Sequence, residues 1–221
     1  MDELSDIVNS LERAELNSKL ASRVAEVITA IQRRKTYPVG ATFLVNFKDD
    51  KHVMDTGFDI YNYDGYRNRN LLSIYDKSIV SHLTTPLEEN GMQTNNSVVD
   101  LDGVVLVLGD GQIHGTGYYF LADVRAALHA VNPNPPRVLY QGFGFNKAHG
   151  ARHISGIATS YHVKDSLVFV LSQDEDKIRV FYEGKILYSP EKNEINYQPK
   201  PKQKSEPALQ GGTLRPAYTT T

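Results

Sequence analysis

Apolar residues recur at three- and four-residue steps along the first part of the chain: Leu4, Ile7, Val8, Leu11, Leu16, Leu20, Val24, Val27, Ile28 and Ile31. With charged residues between them, this is the stripe of an amphipathic helix and predicts helix over 3–35. No Pro or Gly interrupts the stretch. The basic run Arg33-Arg34-Lys35 suits a helix C-terminus, and Pro38 prevents continuation. The step from Leu11 to Leu16 breaks the rhythm and leaves room for two helices with a kink. The stripe marks a core-facing or self-associating surface, and a regulatory helix lying over an active site is the alternative.

The pattern then changes. Val39 to Phe47 is a nearly unbroken apolar run, which reads as a buried strand. The polar, tyrosine-bearing region from Lys48 to Asn70 reads as a loop or hairpin insertion. There Tyr61, Tyr63 and Tyr66 stand among Arg67 and Arg69, either as plain packing or as a surface for a base and a phosphate. A short helix is expected over 71–83 and a loop over 84–96. Gly103 to Leu108, the turn Gly109-Asp110-Gly111 and Gln112 to Phe120 make a hairpin. Helix is expected over 121–131, where Asn132-Pro133-Asn134-Pro135-Pro136 stops it. Arg137 to Gln141 reads as a short strand, and Gly142-Phe143-Gly144-Phe145 as a loop. Strands at 166–171, 177–182 and 185–188 close the pattern.

Helices interleaved with strands predict an α/β fold, a mixed β-sheet flanked by helices. The expected division is an N-terminal helical segment over 1–36, a core domain over 37–190 and a disordered tail over 191–221. The tail is expected because Lys, Pro, Gln, Ser and Thr dominate there.

Composition narrows the function classes. The chain has 221 residues, with 24 Lys and Arg against 26 Asp and Glu, so no global charge draws it to nucleic acid. It has no cysteine, which excludes a disulfide scaffold, a thiolate nucleophile and a Cys-ligated zinc. No apolar run is long enough to span a membrane. The acidic N-terminus is not a secretory signal. A cytoplasmic protein is expected.

Two stretches carry candidate chemistry. Asp102-Gly103 stands at the mouth of an apolar strand. A carboxylate there suits a divalent metal that activates a sugar hydroxyl, and a glycine admits a close ligand. A plain Asp-Gly turn is the alternative. Gly150-Ala151-Arg152-His153 opens a predicted helix running to about Thr159, whose first N–H groups with Arg152 suit an anion. His153 suits a phosphate hydrogen bond or a metal. His149 and His153 are spaced as two ligands on a helix, but Gly150 lies between them and no acid follows His149, so a histidine metal centre is not favoured. Ser172 ends the strand after this helix, ahead of Gln173-Asp174-Glu175-Asp176. Its hydroxyl suits a phosphate and an acid of that cluster a metal, with a polar hairpin turn as the alternative.

The order of these elements resembles the diadenylate cyclase family, whose domain condenses two ATP molecules into cyclic di-AMP. The resemblance covers about residues 98 to 188 and is most specific from Gly150 to Ile186. It implies a metal-binding acid at Asp102, with Gly103 beside it. It implies a phosphate-binding turn at Gly150, Ala151, Arg152 and His153, and a phosphate contact at Ser172. Asp174 is the nearest substitute for a family glutamate. It also implies Mg²⁺ or Mn²⁺, and a homodimer or higher oligomer in which each ATP 3′-hydroxyl attacks the other's α-phosphate. No direct nucleic-acid partner follows from it. The chain departs from the pattern at four places. Val104 replaces an alanine, Ala151 a threonine, Ile154 a second arginine, and Gln173 a glutamate. Two alternatives accompany the cyclase reading: a module that senses a nucleotide without condensing it, and a nucleotidyltransferase acting on another nucleotide.

Overall fold

The computed structural model describes residues 2–34, 40–48, 59–62, 72–84 and 103–199, with the backbone alone at 59–62. Helices α1 (Glu3–Arg13) and α2 (Lys19–Arg33) are followed by β1 (Ala41–Phe47), β2 (Asp59–Asn62) and α3 (Ile79–Thr84). Then come β3 (Val104–Leu108), β4 (Ile113–Leu121), α4 (Val124–Val131), a one-turn α5 (Leu139–Gly142) and α6 (Ala151–His162). Strands β5 (Leu167–Leu171), β6 (Ile178–Tyr182) and β7 (Lys185–Tyr188) precede a 3₁₀ turn at Lys192–Glu194.

One seven-stranded sheet has the order β2-β4-β3-β1-β5-β6-β7. Only β1 and β3 are parallel, so the sheet is mixed, as the interleaved pattern predicted. Strands β1, β3, β5 and β6 alternate their side chains between two apolar cores. On one face Phe43, Val45, Val105, Phe169 and Val180 pack with Ile7, Leu11, Val24 and Ile28 of α1 and α2. On the other, Leu44, Leu106, Val168, Val170 and Phe181 pack with Ala127 and Leu128 of α4 and Ile157 and Ala158 of α6. The result is a three-layer sandwich. The N-terminal stripe is therefore a core-facing one, on the face of the sheet opposite α6.

The single helix expected over 3–35 is two. Glu15 adopts a left-handed φ of 59°, and Leu16 N–H bonds the Leu11 carbonyl at 2.9 Å while Glu15 N–H bonds Glu12 at 3.0 Å. That pair of bonds is a Schellman ending. Ser18 then caps α2 by accepting from Ala21 N–H at 3.1 Å. The C-terminal stop at Lys35 and Pro38 lies outside the described residues.

Four further expectations change or are refined. Residues 137–141 are not a strand: Gly142 N–H bonds the Val138 carbonyl, closing a helical turn that seats Phe143 and Phe145 in the core. Residues 59–62 form an edge strand paired with β4, while the rest of 49–71 lies outside the described residues. The expected short helix is confined to Ile79–Thr84, and the expected loop over 85–96 also lies outside them. The chain does not leave the fold after residue 190, where the tail was expected to begin. It stays packed through Tyr197, with the Glu194 side chain buried and Asn196 bonded to Ile186 N–H and the Phe143 carbonyl.

Candidate functional site

β1 and β3 begin at the same end of the sheet, and β5, antiparallel to β1, ends there. The N-terminus of α6 points to the same end. Between them lies a cleft of about 500 Å³. Gly103, Gly150, Ala151, Arg152, His153, Ser172 and Asp174, drawn from three separate parts of the sequence, all line it. Asp102 lies outside the described residues. Tyr118, Tyr119 and Phe120 of β4 form an aromatic wall. β2 runs beside that wall, with the backbone of Tyr61 in register with Tyr119. Sequence reasoning missed this wall: it read Gln112 to Phe120 only as a hairpin strand and looked for a base-stacking surface at Tyr61, Tyr63 and Tyr66 of the preceding insertion.

Each glycine here has a separate cause. Gly150 is the N-cap of α6, and no side chain caps that terminus. A Cβ added at Gly150 would meet nothing within 4 Å, so the end of the helix stands open. The first N–H groups of a helix have no intrahelical acceptor and carry its positive end. Gly103 differs: its φ is +113°, and an added Cβ would stand 2.9 Å from the Gly117 backbone. Its close approach is thus to the neighbouring strand rather than to a ligand. Gly156 lets α6 lie on the sheet, since a Cβ there would meet Val170 at 2.8 Å.

The Arg152 guanidinium lies over Gly40, where an added Cβ would come within 2.5 Å of Nη1. The same nitrogen donates to Gln173 Oε1 at 3.3 Å, which joins the two basic and polar walls of the cleft. Ser172 is buried, and its Oγ accepts from Glu175 N–H at 3.2 Å, which leaves the hydroxyl proton to donate elsewhere. Ile154 packs against the α6 core and is not a lining residue of the cleft.

His153 is turned inward. It is buried, and its Nε2 faces Arg179 Nη1 at 3.3 Å. Burial, then the Arg179 charge and His149, hold it down to about 3, so the ring is neutral. Arg179 is itself fully buried and was not foreseen. Its Nε donates to Glu194 Oε2 at 2.9 Å and its Nη1 to Glu175 Oε2 at 3.0 Å. Glu194 also accepts from Ser189 Oγ at 2.7 Å and Asn146 N–H at 3.2 Å. Burial pushes the Glu194 carboxyl up, but its bonds to Arg179 and Ser189 outweigh that and leave it below the usual range. Glu175 is likewise raised by burial, and its bonds to Lys147 and Arg179 reverse this and bring it to about 2. One guanidinium therefore ties both cleft-lining segments, α6 through His153 and the 172–176 turn through Glu175, to Glu194 in the packed strap over 190–197. The one signal in the sequence was a charged residue within an apolar strand.

Among the described residues, no group of three His, Cys, Asp or Glu is placed to hold a metal ion. Asp174 is the one acid among the described lining residues of the cleft. The described residues do not by themselves fit a Mg²⁺ or Mn²⁺ centre. Nor, among them, is any helix long and apolar enough to cross a membrane.

No family model matches the sequence, and no curated protein does. Solved structures are similar in chain path, two among them as follows. One is a double mutant of DacA from Staphylococcus aureus, at 15% identity and a TM-score of 0.44, over 76% of this chain and 84% of that one. The other is a hypothetical membrane spanning protein from Bacillus cereus, at 15% identity and a TM-score of 0.49, over 85% of this chain and 71% of that one.

Proposed function

We propose that the cleft binds a nucleotide through its phosphates, and that the chain is a divergent diadenylate cyclase. The observation that carries this reading is the convergence in one cleft of Gly103, the Gly150–His153 turn, Ser172 and Asp174. The open N-terminus of α6 and Arg152 supply positive charge for phosphate, and Ser172 retains a proton to donate. A volume of about 500 Å³ suits a nucleoside triphosphate. The aromatic wall offers stacking surface to a base. In the cyclase reaction two such sites face each other across a pair of copies. Each 3′-hydroxyl attacks the partner ATP's α-phosphate, and pyrophosphate leaves. The protein's contribution is then mainly positioning. A divalent ion held by Asp102 belongs to this proposal.

A second reading, a module that holds a nucleotide without condensing it, is favoured by His153. Its neutral ring is committed to Arg179, which leaves Arg152 as the cationic side chain among the described lining residues. One incubation separates the two. Purified chain, ATP and Mn²⁺ or Mg²⁺ yield cyclic di-AMP under the cyclase reading, detected by chromatography and mass, and Asp102→Asn abolishes it. Tight ATP binding without product supports the module.

A further inference from the structure

Thr159 lies two helical turns below the open end of α6, about 12 Å along the helix axis at the usual rise per residue. It lines the floor of the cleft with 1% of its surface exposed, and its Oγ1 makes no hydrogen bond. A buried hydroxyl without a partner is destabilising, and native proteins rarely keep one without a use. Ser160, the next residue, shows the contrast: its hydroxyl donates to the Ile157 carbonyl and accepts from Gly184 N–H. Serine and threonine in helices ordinarily find a local carbonyl in this way. Thr159 does not, and it faces the cleft.

We infer that Thr159 is a specificity-determining residue that hydrogen-bonds the nucleoside end of the ligand. This rests on the nucleotide reading of the cleft. Phosphates seated at the N-terminus of α6 place the rest of a nucleotide along the helix toward Thr159. A separation of about 12 Å between the helix end and the hydroxyl is close to the span from phosphate to base edge in an extended nucleotide. A hydroxyl both donates and accepts, so it pairs with the amine or ring nitrogen of a base edge. Inorganic polyphosphate reaches only the helix end. The ligand class is therefore a nucleotide, recognised at both ends, and not a bare phosphate.

The test is calorimetric titration of the full chain with ATP and, separately, with tripolyphosphate. Wild type, Thr159→Val and Thr159→Ser are compared, with melting temperatures measured alongside. Valine keeps the shape and removes the hydroxyl. The expected result is a roughly 3- to 10-fold loss of ATP affinity in Thr159→Val, the range set by one hydrogen bond. Tripolyphosphate affinity stays unchanged and serine restores ATP binding. The unliganded Thr159→Val variant melts at or above wild type, because it loses an unpaired buried group. Unchanged ATP affinity in Thr159→Val overturns the inference while leaving the nucleotide site standing. Equal losses for ATP and tripolyphosphate overturn it also, since the hydroxyl would then serve the phosphate end or the fold. Wild type that binds neither probe removes the nucleotide reading, and the inference with it.

Discussion

Replacing Glu194 with alanine removes the acceptor that holds the buried Arg179. Both side chains are fully buried, and the Nε–Oε2 bond is 2.9 Å long. After the change, Arg179 keeps Glu175, which is 17% exposed, while Nη2 already lacks a partner. Ser189 Oγ and Asn146 N–H lose their acceptor as well. Breaking one side of a buried ion pair costs about 3–5 kcal/mol, because the surviving charge stays desolvated. At roughly 2–4 °C per kcal/mol for a domain of this size, the melting temperature falls by about 6–20 °C. Urea unfolding and thermal melts at pH 7 measure this. The double variant Arg179→Met with Glu194→Leu recovers part of the loss, since it leaves no unpaired charge at that position. A loss below about 1 kcal/mol in Glu194→Ala would refute the reasoning. It would mean that the strap over 190–197 is not anchored through this pair.

Acid should weaken the fold in two stages. His153 is held at about 3 against an ordinary 6.5, so its contribution is complete above pH 6.5 and is lost as the pH falls toward 3. Glu175, at about 2 against 4.5, adds a loss below pH 4.5. Melting temperatures from pH 7.5 to 4.5 therefore decline, and His153→Gln flattens that slope. An equal slope in the variant counts against a buried neutral His153. Gly103→Ala places a Cβ 2.9 Å from the Gly117 backbone at a φ of +113°. It should destabilise the chain by at least about 1–3 kcal/mol in denaturant melts. Gly40→Ala instead displaces the flexible Arg152 side chain, so it should weaken ATP binding in a titration while the melting temperature barely moves.

The sequence carried most of the sheet because its strands are apolar runs bounded by strong turn signals. Asp110-Gly111 and Glu183-Gly184 each close a hairpin where expected. The opening of α6 was also legible, from Gly150 onward. What escaped lacked a local signal. The Schellman ending at Glu15 uses a non-glycine residue in a left-handed conformation, so only the broken apolar rhythm hinted at it. Leu139–Gly142 is a single helical turn, set by the burial of Phe143 and Phe145 rather than by its own periodicity. The strap was hidden by its polar composition, because what orders it is the long-range pairing of Glu194 with Arg179. The inward turn of His153 has the same source, a partner 26 residues away on another element.

The measurement closest to the central claim is ATP affinity in wild type and Arg152→Ala, with melting temperatures measured alongside. Arg152 is half-buried at the cleft's rim, where its Nη1 bonds Gln173. Its loss should leave stability nearly unchanged. Removing one charged hydrogen bond to phosphate costs about 1.5–3 kcal/mol, so ATP binding should weaken roughly 10- to 150-fold. Equal ATP affinity in the two proteins, or no binding by either, would contradict a phosphate site at the N-terminus of α6.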